Sequence, residues 1–176
     1  MIRTANKKDV IYAQTLCNWY AESAKTRGIG IAKREKKYIK SKMINGDSII
    51  AFEKSTNKLI GFCYIETFDD QTFVVNSGLI IRKDSRNLGL GKKIKMEVFK
   101  LSRKKYPKAK IFGITTSLAV MRINTKIGYH PVTFSELTSS DDFWKGCKSC
   151  KNYHILEENF RKMCLCTAMV YDKICD

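Results

Sequence analysis

Two groups of residues have the types and spacing to do chemistry. The first is Arg86-Asn87-Leu88-Gly89-Leu90-Gly91-Lys92-Lys93, which follows the apolar run Gly78-Leu79-Ile80-Ile81. The run reads as a strand. From Lys92 to Lys105, Ile94, Val98 and Leu101 share one helical stripe, with Lys and Arg on the other face. A strand entering a glycine loop at a helix start suits an anion, because the first helical amides lack internal partners and carry a partial positive charge. Gly89 and Gly91 have no Cβ, so a phosphate can approach the backbone closely. Two familiar phosphate loops do not fit. A Rossmann fingerprint needs a further glycine where Lys92-Lys93-Ile94 stands, and a Walker A loop needs Ser or Thr where Lys93 stands.

The second group is late in the chain: Cys147-Lys148-Ser149-Cys150 and Cys164-Leu165-Cys166. C-x-x-C can present two thiolates to one metal from a tight turn. C-x-C on a strand puts both thiols on one face, since side chains alternate. Four converging thiolates make a structural tetrahedral zinc site, with His154 as a substitute ligand. The spacing departs from the paired C-x-x-C units of zinc ribbons, and reduced, half-buried thiols packing as small hydrophobes account for the same residues. The chain has 7 cysteines, an odd number, and no export signal, so no disulfide framework is expected. Cys17, Cys63 and Cys175 stand apart from the late cluster.

The elements that must position these groups belong to a chain of 176 residues, read as one domain with a real core. Hydrophobic residues at 44% and charged residues at 28% suit a soluble globular protein. No apolar run is long enough to span a bilayer and Met1 to Lys7 lacks a signal core, so a cytoplasmic location and no membrane partner are expected. A net charge of +16 favours polyanions, either nucleic acid or the phosphates of a coenzyme. The lysine pairs are scattered from Lys7-Lys8 to Lys104-Lys105, which reads as solvated faces, and no nucleic-acid partner is expected.

Ile2 to Ala5 reads as a first strand. Asn6 caps a helix from about Lys8 to Ser23 with Ile11, Leu16, Trp19 and Tyr20 on its apolar side. After the glycine-punctuated loop Arg27-Gly28-Ile29-Gly30-Ile31, a second helix runs from about Lys33 to Met43 and stops at Asn45-Gly46. Ser48–Glu53, Leu59–Thr67 and Phe73–Arg82 form an antiparallel meander whose last strand enters the phosphate loop. The helix after that loop leads to a fifth strand, Lys110–Thr116, parallel to the fourth. A helix from Leu118 to Ile127 closed by Gly128, a sixth strand His130–Phe134, a short helix from Asp141 and a last strand Cys164–Tyr171 complete the chain.

Arg86-x-x-Gly-x-Gly resembles the acyl-CoA pyrophosphate loop of the GNAT superfamily of N-acetyltransferases, and the order of elements resembles the GNAT order over nearly the whole chain. The resemblance implies an α/β protein of α+β mixed-sheet type, with seven strands flanked by helices, as a single domain over 1–176 with a cysteine-containing insertion at about 138–163. It implies acetyl-CoA as co-substrate and direct attack of an amine on the thioester. Main-chain groups of Leu79, Ile80 and Ile81 would hold the pantetheine arm. Amides of Asn87, Leu88, Gly89, Leu90, Gly91 and Lys92 would hold the pyrophosphate, with Arg86 orienting the loop. Many members carry a tyrosine acid four residues before a Gly-Phe pair. Here Gly128-Tyr129 is that pair and Asn124 the matching position, so its amide can bind the cofactor but cannot serve as an acid. Asn76 and Ser77 stand where a glutamate base is often found, which leaves Glu66 as the nearest catalytic carboxylate.

Arg34 follows the loop that shapes the acceptor site in this fold, and a guanidinium there can clamp a carboxylate. Ile31-Ala32-Lys33-Arg34, Asn76-Ser77-Gly78-Leu79-Ile80, Thr115 to Met121 and Pro131 to Leu137 are similar to a bacterial subgroup of amino-acid N-acetyltransferases linked to arginine biosynthesis. That similarity implies a small amine acceptor such as glutamate. The alternatives are a protein N-acetyltransferase, or a basic zinc-stapled module that binds nucleic acid without catalysis. A homodimer and a longer donor such as succinyl-CoA stay open.

Overall fold

The computed structural model describes residues 1–27 and 34–172, and all structural statements concern those. Strands β1 (Ile2–Thr4), β2 (Ser48–Phe52), β3 (Leu59–Phe68) and β4 (Phe73–Ile81) pair antiparallel in succession. Helix α3 (Leu90–Lys105) then crosses over, and β5 (Lys110–Thr115) joins parallel to β4, as a long crossover allows. Helix α4 (Leu118–Ile127) ends at Gly128, whose φ of 107° is a left-handed stop that favours glycine. Strand β6 (His130–Val132) follows. The last strand, β7 (Thr167–Tyr171), inserts between β5 and β6, antiparallel to both, so the sheet order is β1-β2-β3-β4-β5-β7-β6.

The period of two along β3 divides its residues between two layers. Phe62 and Tyr64 pack under α1 (Ala13–Arg27) and α2 (Lys36–Ile44) with Leu16, Tyr20, Ile39 and Met43. Cys63 and Ile65 face α3, whose Ile94 and Val98 are fully buried. Glu66 is registered opposite Val75, so Val75 shares the α1/α2 side. Val75 begins a third cluster with Phe112, Ala168 and Val170. Its cover comes from Phe134, from Trp144 in α5 (Asp141–Lys145) and from Leu156 in α6 (Tyr153–Glu158). The segment around 138–163 therefore roofs the β5–β7 half of the sheet on the side where α1 and α2 roof the other half.

Several boundaries differ from the sequence-based expectation. The chain after Asn6 first makes a 3-10 turn, Lys7–Tyr12, and only then α1; the tighter winding turns Ile11 outward, 72% exposed, instead of onto the buried stripe. Helix α2 begins at Lys36. Strand β6 stops at Val132 because Thr133 and Glu136 form a capping box that starts a 3-10 turn through Phe134. Strand β7 begins at Thr167, opposite the last residue of β5, so Cys164 and Cys166 lie just before it. Lys95 sits on the buried face of α3, not the outer one, at 2% exposure.

Candidate active site

Strands β4 and β5 pair at Phe73/Lys110, Val74/Ile111 and Val75/Phe112, and then part. A register shift between Phe62 and Tyr64 puts a bulge into β4 just beyond that point, with Gly78 at φ 65°. A bulge sharpens the local twist and turns the strand away from its neighbour. Only glycine fits there: a Cβ would strike the Tyr64 ring and come within 2.8 Å of the Tyr20 hydroxyl.

The fork exposes backbone groups that a continued ladder would have satisfied, and the α3 side supplies replacements. Lys95 Nζ donates to the Asn76 carbonyl at 3.2 Å and lies 5.7 Å from the Tyr129 ring centre. Asn76 Nδ2 donates to Ser102 Oγ at 2.7 Å, and the Tyr129 hydroxyl donates to Asn76 Oδ1 at 2.9 Å. Burial pushes the Lys95 ammonium down and the Tyr129 hydroxyl up. Gly113 lies one residue past the last β4–β5 pair, at the apex of the fork. A Cβ on it would lie 3.9 Å from the Asn76 carbonyl and 4.0 Å from Asn124 Nδ2. Asn124 is 1% exposed, its Nδ2 reaches only the Met169 sulfur at 3.7 Å, and its Oδ1 has no partner. An orphaned carbonyl oxygen at the head of the fork calls for an external donor.

Beyond β4 the chain makes the loop that the sequence singled out. Arg86 Nε donates back to the Ile81 carbonyl at 3.2 Å, which orients the loop. Asn87 and Gly89 take φ of 64° and 72°. Gly89 is the N-cap of α3, no side chain caps the helix, and nothing lies within 4 Å of where a Cβ would stand on it. The first amides of α3, from Leu90 to Lys92, are thus left for a ligand, with the exposed Lys92 and Lys93 beside them. Leu79 and Ile81 pack their side chains toward α3 while Ile80 packs toward α1 and α2; Leu88 is exposed. A pocket of about 450 Å³ beside the loop is lined by Trp19, Ser23, Ile81, Arg82 and Arg86, and the buried Ser23 hydroxyl has no partner.

The opposite side of β4 carries a polar shell. Arg34 Nε donates to the Tyr64 hydroxyl at 2.6 Å, and its guanidinium lies 5.6 Å and 5.9 Å from the Tyr20 and Tyr64 ring centres. The Tyr38 hydroxyl donates to Glu66 Oε1, the Tyr20 hydroxyl to the Gly78 carbonyl, and Ser77 Oγ to Tyr64 at 3.4 Å. Burial pushes all three tyrosine hydroxyls up, and the Glu66 charge adds to the effect on Tyr38 and Tyr64. Burial opposes the Arg34 charge, but Tyr64, Tyr20 and Glu66 outweigh it. Residues 28–33 of the loop before Arg34 lie outside the described residues.

Arg34 and Glu66, chosen from the sequence, are therefore together on one side of the fork. Arg86 to Lys92 lie at its mouth and Asn124 at its head. Tyr20, Tyr38, Tyr64 and Lys95 were not singled out from sequence. Tyr64 stands two residues before Glu66 on a strand, a same-face signal; Tyr20 and Tyr38 carry no such mark.

The late cysteines form a separate group. Cys147 lies in the 3-10 turn Gly146–Ser149, Cys150 just after it, and Cys164 and Cys166 just before β7; all are half-buried. Together they line one cavity of about 30 Å³. Among the described residues, no group of three or more His, Cys, Asp or Glu side chains is placed to hold a metal ion. His154 is exposed and does not line the cavity; its Nδ1 lies 3.2 Å from the Lys151 carbonyl. Cys17 and Cys63 pack elsewhere, and Cys175 lies outside the described residues.

No protein-family model matches the chain, and no curated protein matches it by sequence. Solved structures do. A phosphinothricin acetyltransferase of the GNAT superfamily from Sinorhizobium meliloti, in complex with AcCoA, aligns with 100% of this chain and 91% of its own, with a TM-score of 0.64 at 13% identity. The chain has the GNAT fold. A Mycobacterium tuberculosis protein of this fold, solved with CoA, covers 99% of both chains with a TM-score of 0.68 at 13% identity. N-acetylglutamate synthase from Neisseria gonorrhoeae, complexed with coenzyme A and N-acetyl-glutamate, matches 97% of this chain with a TM-score of 0.66 at 15% identity. This chain spans only 34% of that protein's length. Among the described residues, no helix is long and apolar enough to cross a membrane.

Proposed function

We propose that this chain is an N-acyltransferase that moves the acetyl group of acetyl-CoA directly to the amine of a small amino acid, with glutamate as the type of acceptor. The observation that carries the reading is the fork between β4 and β5, whose mouth opens onto a loop of free helix amides. A pantetheine arm laid along Leu79 to Ile81 pairs with strand groups that β5 has left, while the pyrophosphate meets the amides of Asn87 to Lys92. The unpartnered Asn124 Oδ1 accepts a hydrogen bond from the arm near the thioester.

The acceptor enters from the Arg34 side. Arg34, braced by Tyr64, takes the acceptor carboxylate. Glu66, held by Tyr38, removes a proton from the ammonium, through a water if needed. The free amine then attacks the thioester carbon, the carbonyl becomes an oxyanion facing β4 amides, the attacking nitrogen gives its second proton to solvent, and the carbon–sulfur bond breaks as the carbonyl re-forms. The thiolate leaves as CoA and takes a proton from solvent, since Asn124 has none to give.

A panel of amino acids assayed for free CoA release tests the reading. Glutamate or a close relative is expected to give the highest rate. Acetyl-CoA at 100 times its dissociation constant is expected to stabilise the fold by about 2.7 kcal/mol in thermal melts. No thermal shift at any acetyl-CoA concentration overturns the enzyme reading. A shift together with acetylation of peptides alone overturns the small-acceptor reading.

A further inference from the structure

We infer that Cys147, Cys150, Cys164 and Cys166 bind one Zn2+ as a four-thiolate site that ties the turn at 146–150 to the chain entering β7. Four of the 7 cysteines fall in this one stretch, and all four ring a single cavity of about 30 Å³. That space holds about one water-sized body. The rest of the wall is Ile114 of β5, Phe134, Asn152, Tyr153 and Leu156, so the four thiols are the soft, zinc-preferring donors there. Leu165 is 61% exposed while Cys164 and Cys166 are half-buried, so the C-x-C pair turns both sulfurs inward although it precedes the strand.

The local backbone suits thiolates. Cys150 N–H closes a turn onto the Cys147 carbonyl at 2.8 Å, and the Asn152 N–H points at Cys150 Sγ from 3.5 Å. An N–H donor two residues on stabilises a negative sulfur. Four thiolates and one Zn2+ carry a net charge of −2, and Lys145, Lys148, Lys151 and Lys162 flank the site in sequence. The four sulfurs are not yet placed around a common centre, so binding draws them together. On binding, each loses its proton to solvent as a sulfur lone pair engages the metal, and no oxidant or reductant is required.

The segment around 138–163 needs such a tie. Helices α5 and α6 have 5 and 6 residues, too few to persist without tertiary support. Ile114, on the part of β5 beyond its pairing with β4, lines the same cavity, and the strand that follows Cys166 pairs with that part of β5.

Metal analysis of the full chain, purified under reducing conditions without chelator, is expected to give one zinc per chain. Replacement by Co2+ is expected to give the intense visible bands of tetrahedral cobalt with thiolate charge transfer. Cys150→Ser and Cys166→Ser are each expected to lose most of the metal, while Cys17→Ser keeps it. Zinc below one tenth per chain with no cobalt bands overturns the inference. So does a Cys147–Cys150 disulfide, seen as a mass two hydrogens lower, in protein prepared under those conditions. The cobalt spectrum of the unmutated chain decides the matter if the serine variants fail to fold. None of these readouts depends on acyl transfer.

Discussion

In the reaction we propose, Arg34 and Glu66 divide the work at the residue scale. Arg34 is pinned by Tyr64 and flanked by two rings, so its planar fork is oriented before any acceptor arrives. A lysine keeps the charge and loses that geometry. Arg34→Lys is expected to raise KM for the amino-acid acceptor about tenfold or more while leaving KM for acetyl-CoA near its starting value. Glu66→Gln keeps the shape and removes the base. It is expected to lower kcat by roughly 100-fold or more, with a partial return at high pH, where the free amine no longer needs the carboxylate. Steady-state kinetics in both substrates check the pair. Equal loss in both KM values for Arg34→Lys would point to a structural role.

At the scale of elements, the first strand and the turn after it are joined by one ion pair. Arg3 reaches Asp9 with two nitrogens at 2.7 and 2.8 Å, and Asp9 also accepts the Asn6 N–H at 2.8 Å. The Arg3 hydrogen bonds hold the Asp9 carboxyl below the usual range against the opposing effect of burial. A depressed carboxylate contributes stability that is fully present above its unfolded pKa of about 3.9 and is lost as pH falls through the folded value. Asp9→Asn is therefore expected to cost about 2 kcal/mol at pH 7 and to flatten the acid limb of the stability profile. Urea melts at pH 7, 5 and 3 measure both. This element was half legible: Asn6 announces a cap by its type, whereas the bidentate Arg3–Asp9 pair needs β1 and the 3-10 turn in place. The fork shows the same division. Its glycine loop is written in adjacent residues, but the bulge at Gly78 depends on Tyr20 and Tyr64 closing around it.

For the whole molecule, the sheet separates two approaches. Under the proposed function, the α3 layer and its loop take the phosphate-bearing donor, and the α1/α2 layer with the segment around 138–163 frames the acceptor side; the three packed clusters are the layers concerned. A net charge of +16 over the whole chain makes it electrostatically attractive to a phosphate-bearing donor. Raising salt from 50 to 300 mM is expected to raise KM for acetyl-CoA several-fold, because the Debye length falls from over 10 Å to under 8 Å. An acetyl-pantetheine thioester without phosphates is expected to show no such rise. A shared salt dependence would place the effect on the acceptor or on folding instead.

Local order along the chain settles a good deal without any structure. Hydrophobic periodicity, caps at Asn6 and Gly128, and the Arg86–Lys92 spacing act over a few residues, so the meander, the crossover and the anion loop can be read directly. Contacts between distant segments cannot. The insertion of β7 between β5 and β6, the burial of Lys95 against the Asn76 carbonyl and the tyrosine shell around Arg34 join residues that are far apart in the chain. So does the ring of four thiols, built from a turn and a pre-strand loop. A side chain's type and its local period say what it can do; which partners it meets follows from the packing of layers, and that is a property of the folded sheet.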